Sequence, residues 1–207
     1  MRTVALCIGH SPRDGGAVIL GTHISEYQYW TREVQKIREM LAKRGINAVI
    51  CNRADAGGTT PSYAAKACNE TLADLAVELH FNASDDPASN GAECLHWYNS
   101  PKGEHAAACI QRRTVECLNI RRRGLVNVCP DKATRDRLDK AGARAECDRA
   151  TEFFRCTTMP AVIWEPCFGA SNPAEARLML DHPETLCLAL ARGIEDHFDA
   201  LDQIPNI

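Results

Sequence analysis

Short apolar runs alternate along the chain with longer segments in which apolar residues recur at helical spacing. The runs are rich in β-branched residues or end at glycine and polar residues, which is typical of buried strands. They predict strands at residues 3–8, 47–51, 73–81, 92–98 and 159–164.

The segment that follows Ser25 predicts an amphipathic helix with an acidic residue on its apolar face. Apolar residues recur there at steps of three and four, at Trp30, Val34, Ile37 and Leu41. Ser25 is a suitable N-cap and Gly45 a suitable stop. Glu26 lies four residues before Trp30 and therefore shares the core-facing stripe. A carboxylate that faces a core needs a capping role, a buried partner or a metal ion.

The remaining segments complete an alternation of strands and helices. Further helices are predicted at residues 63–72, 104–120, 173–180 and 185–201. Residues 125–155 give no clear pattern, and the highly charged 131–148 predicts an exposed helix or a mobile segment over a cleft. The alternation predicts one α/β domain over residues 1–207, with a mostly parallel twisted sheet of about six strands flanked by helices.

Charge and hydropathy narrow the possible partners. The formal charge of −3 argues against a nucleic-acid partner, which needs a clustered basic surface. The basic residues 121–123 have no interleaved aromatic residues and suggest a solvated or locally functional patch. No segment approaches the ~18 apolar residues of a membrane span. The first apolar run is too short for a signal peptide, which predicts synthesis in the cytoplasm and exit by another route.

The cysteines are numerous but do not form a metal-binding motif along the sequence. The chain has 11, an odd number, with no C-x-x-C pair. A structural zinc ribbon is therefore not expected. Several cysteines fall in apolar runs, which favours free buried thiols in a reducing compartment. One or two disulfides formed after release of the protein are the alternative.

Potential metal ligands and a base lie where predicted strands end. His10 follows the first strand, His80 ends the third, and Glu165 follows the last. Glu26 begins the helix that comes after the first strand. Because catalytic groups collect at the carboxyl ends of parallel strands, we expect these four side chains to converge. Two imidazoles and one carboxylate with an open fourth position are typical of a hydrolytic zinc site, with Glu165 available as general base.

Each of these residues also has a structural interpretation. A histidine at a strand end is often only hydrogen-bonded, Glu26 could complement the helix dipole, and Glu165 could be an ordinary loop carboxylate. The convergence of four groups at one sheet edge favours the zinc site. The other histidines lack such placement and are interpreted as structural or surface residues: His23, His96, His105, His182 and His197.

Ordered motifs around these residues resemble a known family. They are Gly9-His10, Asp14-Gly15-Gly16-Ala17, Glu26, Arg53 with Asp55, residues 73–83 around His80, Gly91-Ala92-Glu93, Arg123-Gly124-Leu125 and residues 159–168 around Glu165. In this order, from about residue 4 to about residue 180, they resemble the zinc-dependent N-acetylmuramoyl-L-alanine amidases of the amidase-3 type, which cleave peptidoglycan. The resemblance implies one Zn²⁺ on His10, Glu26 and His80, with Glu165 as catalytic base.

The resemblance also implies a substrate and a biological role. The substrate would be the amide between N-acetylmuramic acid and L-alanine of the peptidoglycan stem peptide, with Asn82 and Arg123 as candidate substrate-binding residues. A phage or prophage lysin is favoured over a host autolysin, and the oligomeric state stays open. Two other classes remain: another zinc hydrolase on a related fold, such as a carboxypeptidase or an acylamino-acid deacylase, and an inactive wall-binding module.

Three features depart from the family pattern. Glu78 replaces a small polar residue. Strand alternation places it on the same side of the strand as His80. It would there either orient His80 as a hydrogen-bond partner or compete as a carboxylate and alter the chemistry of the pocket. Ser11-Pro12-Arg13 replaces further glycines, so that loop is expected to be stiffer or more basic. Residues 127–156 exceed the family minimum, which predicts either an inserted helix or lid over the zinc or a solvated surface helix.

Overall fold

The computed structural model describes residues 1–148 and 150–203. Within them, seven strands form one sheet: β1 (Thr3–Ile8), β2 (Asn47–Asn52), β3 (Leu75–Leu79), β4 (Ala92–Trp97), β5 (Arg122–Val128), β6 (Ala145–Glu146) and β7 (Ala161–Glu165). The spatial order is β2-β1-β3-β7-β4-β5-β6. All neighbours are parallel except β4 and β7. The predicted α/β class with a mostly parallel sheet is confirmed.

Helices cover both faces of this sheet. They are α1 (Glu26–Ala42), α2 (Pro61–Glu70), α3 (Pro101–Leu118), α4 (Lys132–Lys140), α5 (Thr151–Cys156), α6 (Pro173–Asp181) and α7 (Pro183–Asp202), with a 3-10 turn at Arg53–Ala56. On one face α7 packs between α1 and α3, and on the other α2 packs against α5. Two hydrophobic clusters result, one on each face. The predicted domain of residues 1–207 includes residues 149 and 204–207, which lie outside the described residues.

The sheet has seven strands, whereas the sequence pattern located five and predicted about six in total. The segment without a clear pattern, residues 125–155, contains all of β6 and most of β5 and of α5. β5 begins with arginine and glycine and is only partly buried, and β6 is a two-residue edge strand. Such strands lack a strong apolar alternation, because little of their surface faces the core. The predicted exposed helix is present as α4, which has no buried residue.

Helix α1 begins and packs as its sequence predicted. The Ser25 side chain accepts a hydrogen bond from the backbone N–H of Gln28, and the Gln28 side chain accepts one from the backbone N–H of Ser25, so a capping box starts the helix. The stripe residues Trp30, Val34, Ile37 and Leu41 are all buried. Glu26 is only 4% exposed at the head of that stripe. Because Ser25 caps the helix, the inward direction of Glu26 serves another purpose.

A pair of arginines on α3 binds one aspartate on α7. Arg113 contacts Asp196 in a bidentate arrangement, with Nε 2.6 Å from Oδ2 and Nη2 3.0 Å from Oδ1. Arg112 Nη2 lies 2.7 Å from the same Oδ2. The hydrogen bonds from Arg113, together with the charges of both arginines, lower the pKa of Asp196 below its ordinary value.

This pKa predicts a stability contribution that is lost in acid. A lowered pKa in the folded state stabilises the protein above the unfolded value of about 4, and the contribution disappears as the pH falls through the folded-state pKa. We expect Asp196→Asn to lower the free energy of unfolding by about 1 kcal/mol at neutral pH. In urea denaturation the difference from wild type should shrink towards zero near about pH 3. Asp199→Asn, on an exposed position of α7, is the matched control; an equal loss there would contradict a specific pair.

Candidate active site

The loop after β1 packs two glycines against the histidine rings. A side chain at Gly9 would overlap the carbonyl oxygen of Leu79 and approach the His80 ring. A side chain at Gly16 would overlap the ring of His10, and Gly16 also has a φ of +77° that favours glycine. These positions require glycine because the two imidazoles approach the backbone so closely.

Asn52, at the end of β2, fixes the same loop from the other side. Its Nδ2 donates hydrogen bonds to the carbonyl oxygens of Ile8, at 2.7 Å, and His10, at 2.9 Å. His10 has a φ of +61°, an uncommon value for a residue with a side chain. Asn52 therefore holds a strained backbone that turns His10 towards the cavity. Sequence reasoning did not identify Asn52, because its partners are backbone atoms of a distant segment.

Glu26 lies between the two histidines. Its Oε1 is 3.2 Å from His10 Nε2, and its Oε2 is 3.0 Å from His80 Nδ1. The carboxylate also accepts backbone hydrogen bonds from Ala17 and Phe81, each at 3.0 Å. Burial alone would raise the pKa of Glu26, but its hydrogen bonds and charge interactions with His10 and His80 lower it well below the ordinary range. Glu26 is therefore anionic, and its position is fixed by four contacts.

The three side chains form a group that could hold a metal ion. One ligand atom from each of His10, Glu26 and His80 lies within 4.8 Å of the other two. The imidazole rings meet edge to face, with centroids 4.9 Å apart. Within the described residues, His10 Nδ1 is buried and has no hydrogen-bond partner. The convergence that the strand ends predicted for these three residues is present.

Glu165 shares a cavity with this group. It is the last residue of β7, which lies next to β3 in the sheet, and it is 8% exposed. A cavity of about 320 Å³ is lined by His10, Glu26, His80, Asn82, Phe153 and Glu165, among others. The carboxyl ends of β1, β3 and β7, which are neighbours in the sheet, thus bring the four predicted residues to one concave site.

Glu78 forms a buried ion pair behind His80. Its Oε1 accepts from Arg53 Nη2 at 2.8 Å, and its Oε2 lies 3.5 Å from His80 Nε2. Burial raises the pKa of Glu78, but the nearby His80 and Arg53 lower it to about 2. Burial in turn lowers the pKa of His80, while Glu78 and Glu26 raise it well above its ordinary value. Glu78 lies on the His80 side, as strand alternation predicted.

The Arg53–Glu78 pair is expected to behave as a unit in stability measurements. Arg53→Met leaves a charged carboxylate buried without its main partner, and we expect it to lower the free energy of unfolding by about 3 kcal/mol. Arg53→Met with Glu78→Met should recover most of that loss, because neither charge remains. Chemical denaturation of the metal-free protein measures both effects. Arg135→Met, from a surface pair, is the control and should change stability by under about 0.5 kcal/mol. Glu78→Met alone completes the cycle, and a double-variant loss equal to the sum of the two single losses would contradict the coupling.

The two candidate substrate-binding residues meet at Glu93 on β4. Asn82 Nδ2 donates to Glu93 Oε1 at 2.9 Å, and Arg123 Nε donates to Oε2 at 3.1 Å. Arg144 also contacts Oε2, at 3.0 Å, and the Arg123 guanidinium lies over the Phe168 ring, 4.7 Å from its centroid. Asn82 lines the cavity, whereas Arg123 is not among the lining residues. Glu93 was part of a family-like motif, but nothing in the sequence indicated that it joins both residues.

Part of the predicted insertion at residues 127–156 reaches the cavity. Ala150 and Phe153, at the start of α5, line it, and Phe153 is fully buried. Helix α4 is exposed and does not line the cavity. Residue 149, within this segment, lies outside the described residues.

Several solved structures share this fold. The catalytic domain of CwlV, an N-acetylmuramoyl-L-alanine amidase from Paenibacillus polymyxa var. colistinus, aligns with a TM-score of 0.72 and 22% identity over 98% of this chain and 99% of that one. AmiC2 of Nostoc punctiforme aligns at 0.73 and 19% over 96% and 97%. The catalytic domain of the CD27L endolysin targeting Clostridia Difficile aligns at 0.69 and 19% over 95% and 98%.

A family model identifies the family of this chain, although no single curated sequence does. No curated protein sequence matches the chain significantly. None of the helices among the described residues combines the length and apolar character that a membrane crossing requires. The family model for N-acetylmuramoyl-L-alanine amidase matches residues 4–196, which is most of the chain. The chain therefore belongs to the amidase-3 family of N-acetylmuramoyl-L-alanine amidases, which are peptidoglycan hydrolases.

Proposed function

We propose that His10, Glu26 and His80 bind one Zn²⁺ ion and that Glu165 is the general base. The reaction is hydrolysis of the amide between the lactyl group of N-acetylmuramic acid and L-alanine. The observation that carries the proposal is the convergence of three ligand atoms within 4.8 Å in the cavity that Glu165 also lines. Family membership supports the reaction and its site of action at the cell wall.

The donor set fits zinc in type and in size. Neutral imidazole nitrogens and a carboxylate oxygen are the ligands of many catalytic zinc sites, which keep a fourth position open. A tetrahedral site with bonds of about 2.0 Å has donor atoms about 3.3 Å apart. The Glu26 oxygens lie 3.2 Å from His10 Nε2 and 3.0 Å from His80 Nδ1. Both distances are close to that value.

In amide hydrolysis the bound ion and Glu165 would have different roles. Bound Zn²⁺ would supply Lewis acidity to the scissile carbonyl and lower the pKa of a water molecule. The Glu165 carboxylate accepts a proton from the attacking water while the water oxygen forms a bond to the lactyl carbonyl carbon. When the C–N bond breaks, Glu165 returns the proton to the nitrogen of L-alanine. The buried position of Glu165 limits competing contacts with solvent.

Residues around the metal group orient it and bind substrate. Glu78, held by Arg53, is placed to accept a hydrogen bond from His80 Nε2, which would direct Nδ1 towards the metal. Asn82 would bind the stem peptide within the cavity. Arg123, held over Phe168, would meet the acidic groups of the same peptide further along. The wall formed by Ala150 and Phe153 would make the described part of residues 127–156 a partial cover over the site.

Product analysis tests the proposed reaction. Purified peptidoglycan treated with the protein should gain free L-alanine amino termini and release stem peptides that have lost their glycan. Release of a terminal amino acid instead would identify a carboxypeptidase. Binding to the wall without any released peptide would identify a wall-binding module. Either outcome would overturn the amidase assignment.

We further propose that the chain acts as a cell-wall lysin. The alignment with the CD27L endolysin domain, which extends over 98% of that chain, supports a lysin-type role. Adding the protein to intact and to permeabilised cells separates access from catalysis. A lysin should degrade isolated walls directly and should lyse permeabilised cells faster than intact ones. Equal inactivity on walls and both cell types would contradict the proposal.

A further inference from the structure

Three cysteines that are far apart in the sequence meet beneath α2. Cys7 on β1 and Cys51 on β2 are register partners, so their side chains lie side by side on one face of the sheet. Cys68 comes from α2 above them, and its Sγ is 3.8 Å from that of Cys51. All three sulfur atoms lie within 4.8 Å of one another, and all three residues are buried.

None of the three cysteines is among the residues that line the active-site cavity, although Cys7 is the register partner of Glu78 on β3. Along β1, Ala5 and Cys7 belong to the hydrophobic cluster under α2, whereas Val4, Leu6 and Ile8 belong to the cluster on the opposite face. The residues that share the cluster under α2 with the three thiols are mostly small: Ala5, Ala56, Ala64, Ala65, Ala67, Ala73 and Ala76. Within the described residues, no fourth histidine, cysteine or acidic residue joins the three sulfurs as a potential ligand.

We propose that Cys7, Cys51 and Cys68 form a binding site for a thiophilic metal ion of low coordination number, of which Cu⁺ is the type. Thiolate ligands select soft ions such as Cu⁺ and Zn²⁺. A structural Zn²⁺ site is almost always four-coordinate, and this group offers three ligands. A trigonal site with metal–sulfur bonds of about 2.3 Å has sulfur atoms about 4.0 Å apart. The observed 3.8 Å between Cys51 and Cys68 agrees with that value.

The coordinating thiols are the source of the protons that are released when the ion binds. Each cysteine that coordinates the ion releases its proton to solvent, and no oxidant or reductant is consumed when the ion enters as Cu⁺. Hydrogen bonds from Cys68 and Cys7 lower the pKa of Cys51. Because the sulfurs are buried, loading requires a local opening of α2 and is expected to be slow.

An anaerobic titration of the reduced full-length chain with Cu⁺, against a chromogenic Cu⁺ chelator, tests the proposal. Wild type should hold one ion tightly after prolonged incubation. Cys51→Ala and Cys68→Ala should each weaken that binding at least about 100-fold, because each removes a direct ligand. Cys94→Ala, at a buried cysteine on the opposite face, and His80→Ala, in the proposed zinc site, should retain it. The two metal sites can therefore fail independently of one another.

X-ray absorption of the copper-loaded wild-type protein gives a measurement that does not depend on how the variants fold. The expected first shell contains three sulfur atoms and no nitrogen. Nitrogen ligands, or a Cys51→Ala variant that is folded by circular dichroism and binds Cu⁺ as wild type does, would overturn the proposal. A Cys51–Cys68 disulfide found by mass spectrometry in the protein as purified would also overturn it, because a disulfide has no thiolate to offer.

Discussion

Glu165→Gln is expected to lower kcat on purified peptidoglycan by about 10²- to 10⁴-fold, the range that general acid–base catalysis contributes. Glutamine has the same shape as glutamate but cannot accept the proton of the attacking water. Glu165 is not one of the three converging ligands, so the zinc content and the free energy of unfolding should change little. Kinetics and metal analysis on the same preparation measure both properties.

The control for this variant is Glu70→Gln, which changes an exposed carboxylate at the end of α2. It should leave turnover unchanged. If Glu165→Gln retained wild-type turnover while Glu70→Gln did the same, another group would have to be the base. If Glu165→Gln lost its zinc together with its activity, Glu165 would be a ligand and not a base.

His80→Ala is expected to abolish both zinc binding and amidase activity. It removes one of three ligands and leaves Glu26 with a single imidazole partner. We expect zinc affinity to fall by more than about 100-fold. This exceeds the loss expected when a residue that only hydrogen-bonds to a metal ligand is removed. The thermal stabilisation that added Zn²⁺ gives wild type should also disappear, since stabilisation by a ligand requires its binding to the folded state.

His23→Ala is the matched control, because His23 is exposed and outside the site. It should keep full zinc content and full activity. A His80→Ala protein that bound zinc as tightly as wild type would show that the metal is held elsewhere. Competitive titration with a zinc-sensitive chelator distinguishes these results.

The residues that converge in the site were accessible from the sequence because each follows from a local rule. Glu26 lies on an apolar stripe whose helix is capped by Ser25, so the sequence pattern alone indicates that this carboxylate has a buried partner. His80 and Glu165 lie at strand ends, and in a parallel sheet such ends meet at one edge. The position of Glu78 follows from strand alternation alone.

The parts that the sequence did not predict depend on tertiary contacts. Asn52 acts on backbone carbonyl groups of β1 and of the loop after it, and Glu93 joins Asn82 to Arg123 across separate segments. The cysteine cluster depends on the register between β1 and β2 and on the position of α2. Strands β5 and β6 were missed because a partly exposed edge of a sheet carries little apolar periodicity.

The central claim is that one Zn²⁺ ion on His10, Glu26 and His80 is required for amide hydrolysis, and metal analysis combined with activity tests it most directly. The purified protein should contain about one zinc per chain in this site. Dialysis against a chelator should remove zinc and activity together, and one equivalent of Zn²⁺ should restore both. Full hydrolysis of peptidoglycan by a preparation shown to be free of zinc and other metals would contradict the account.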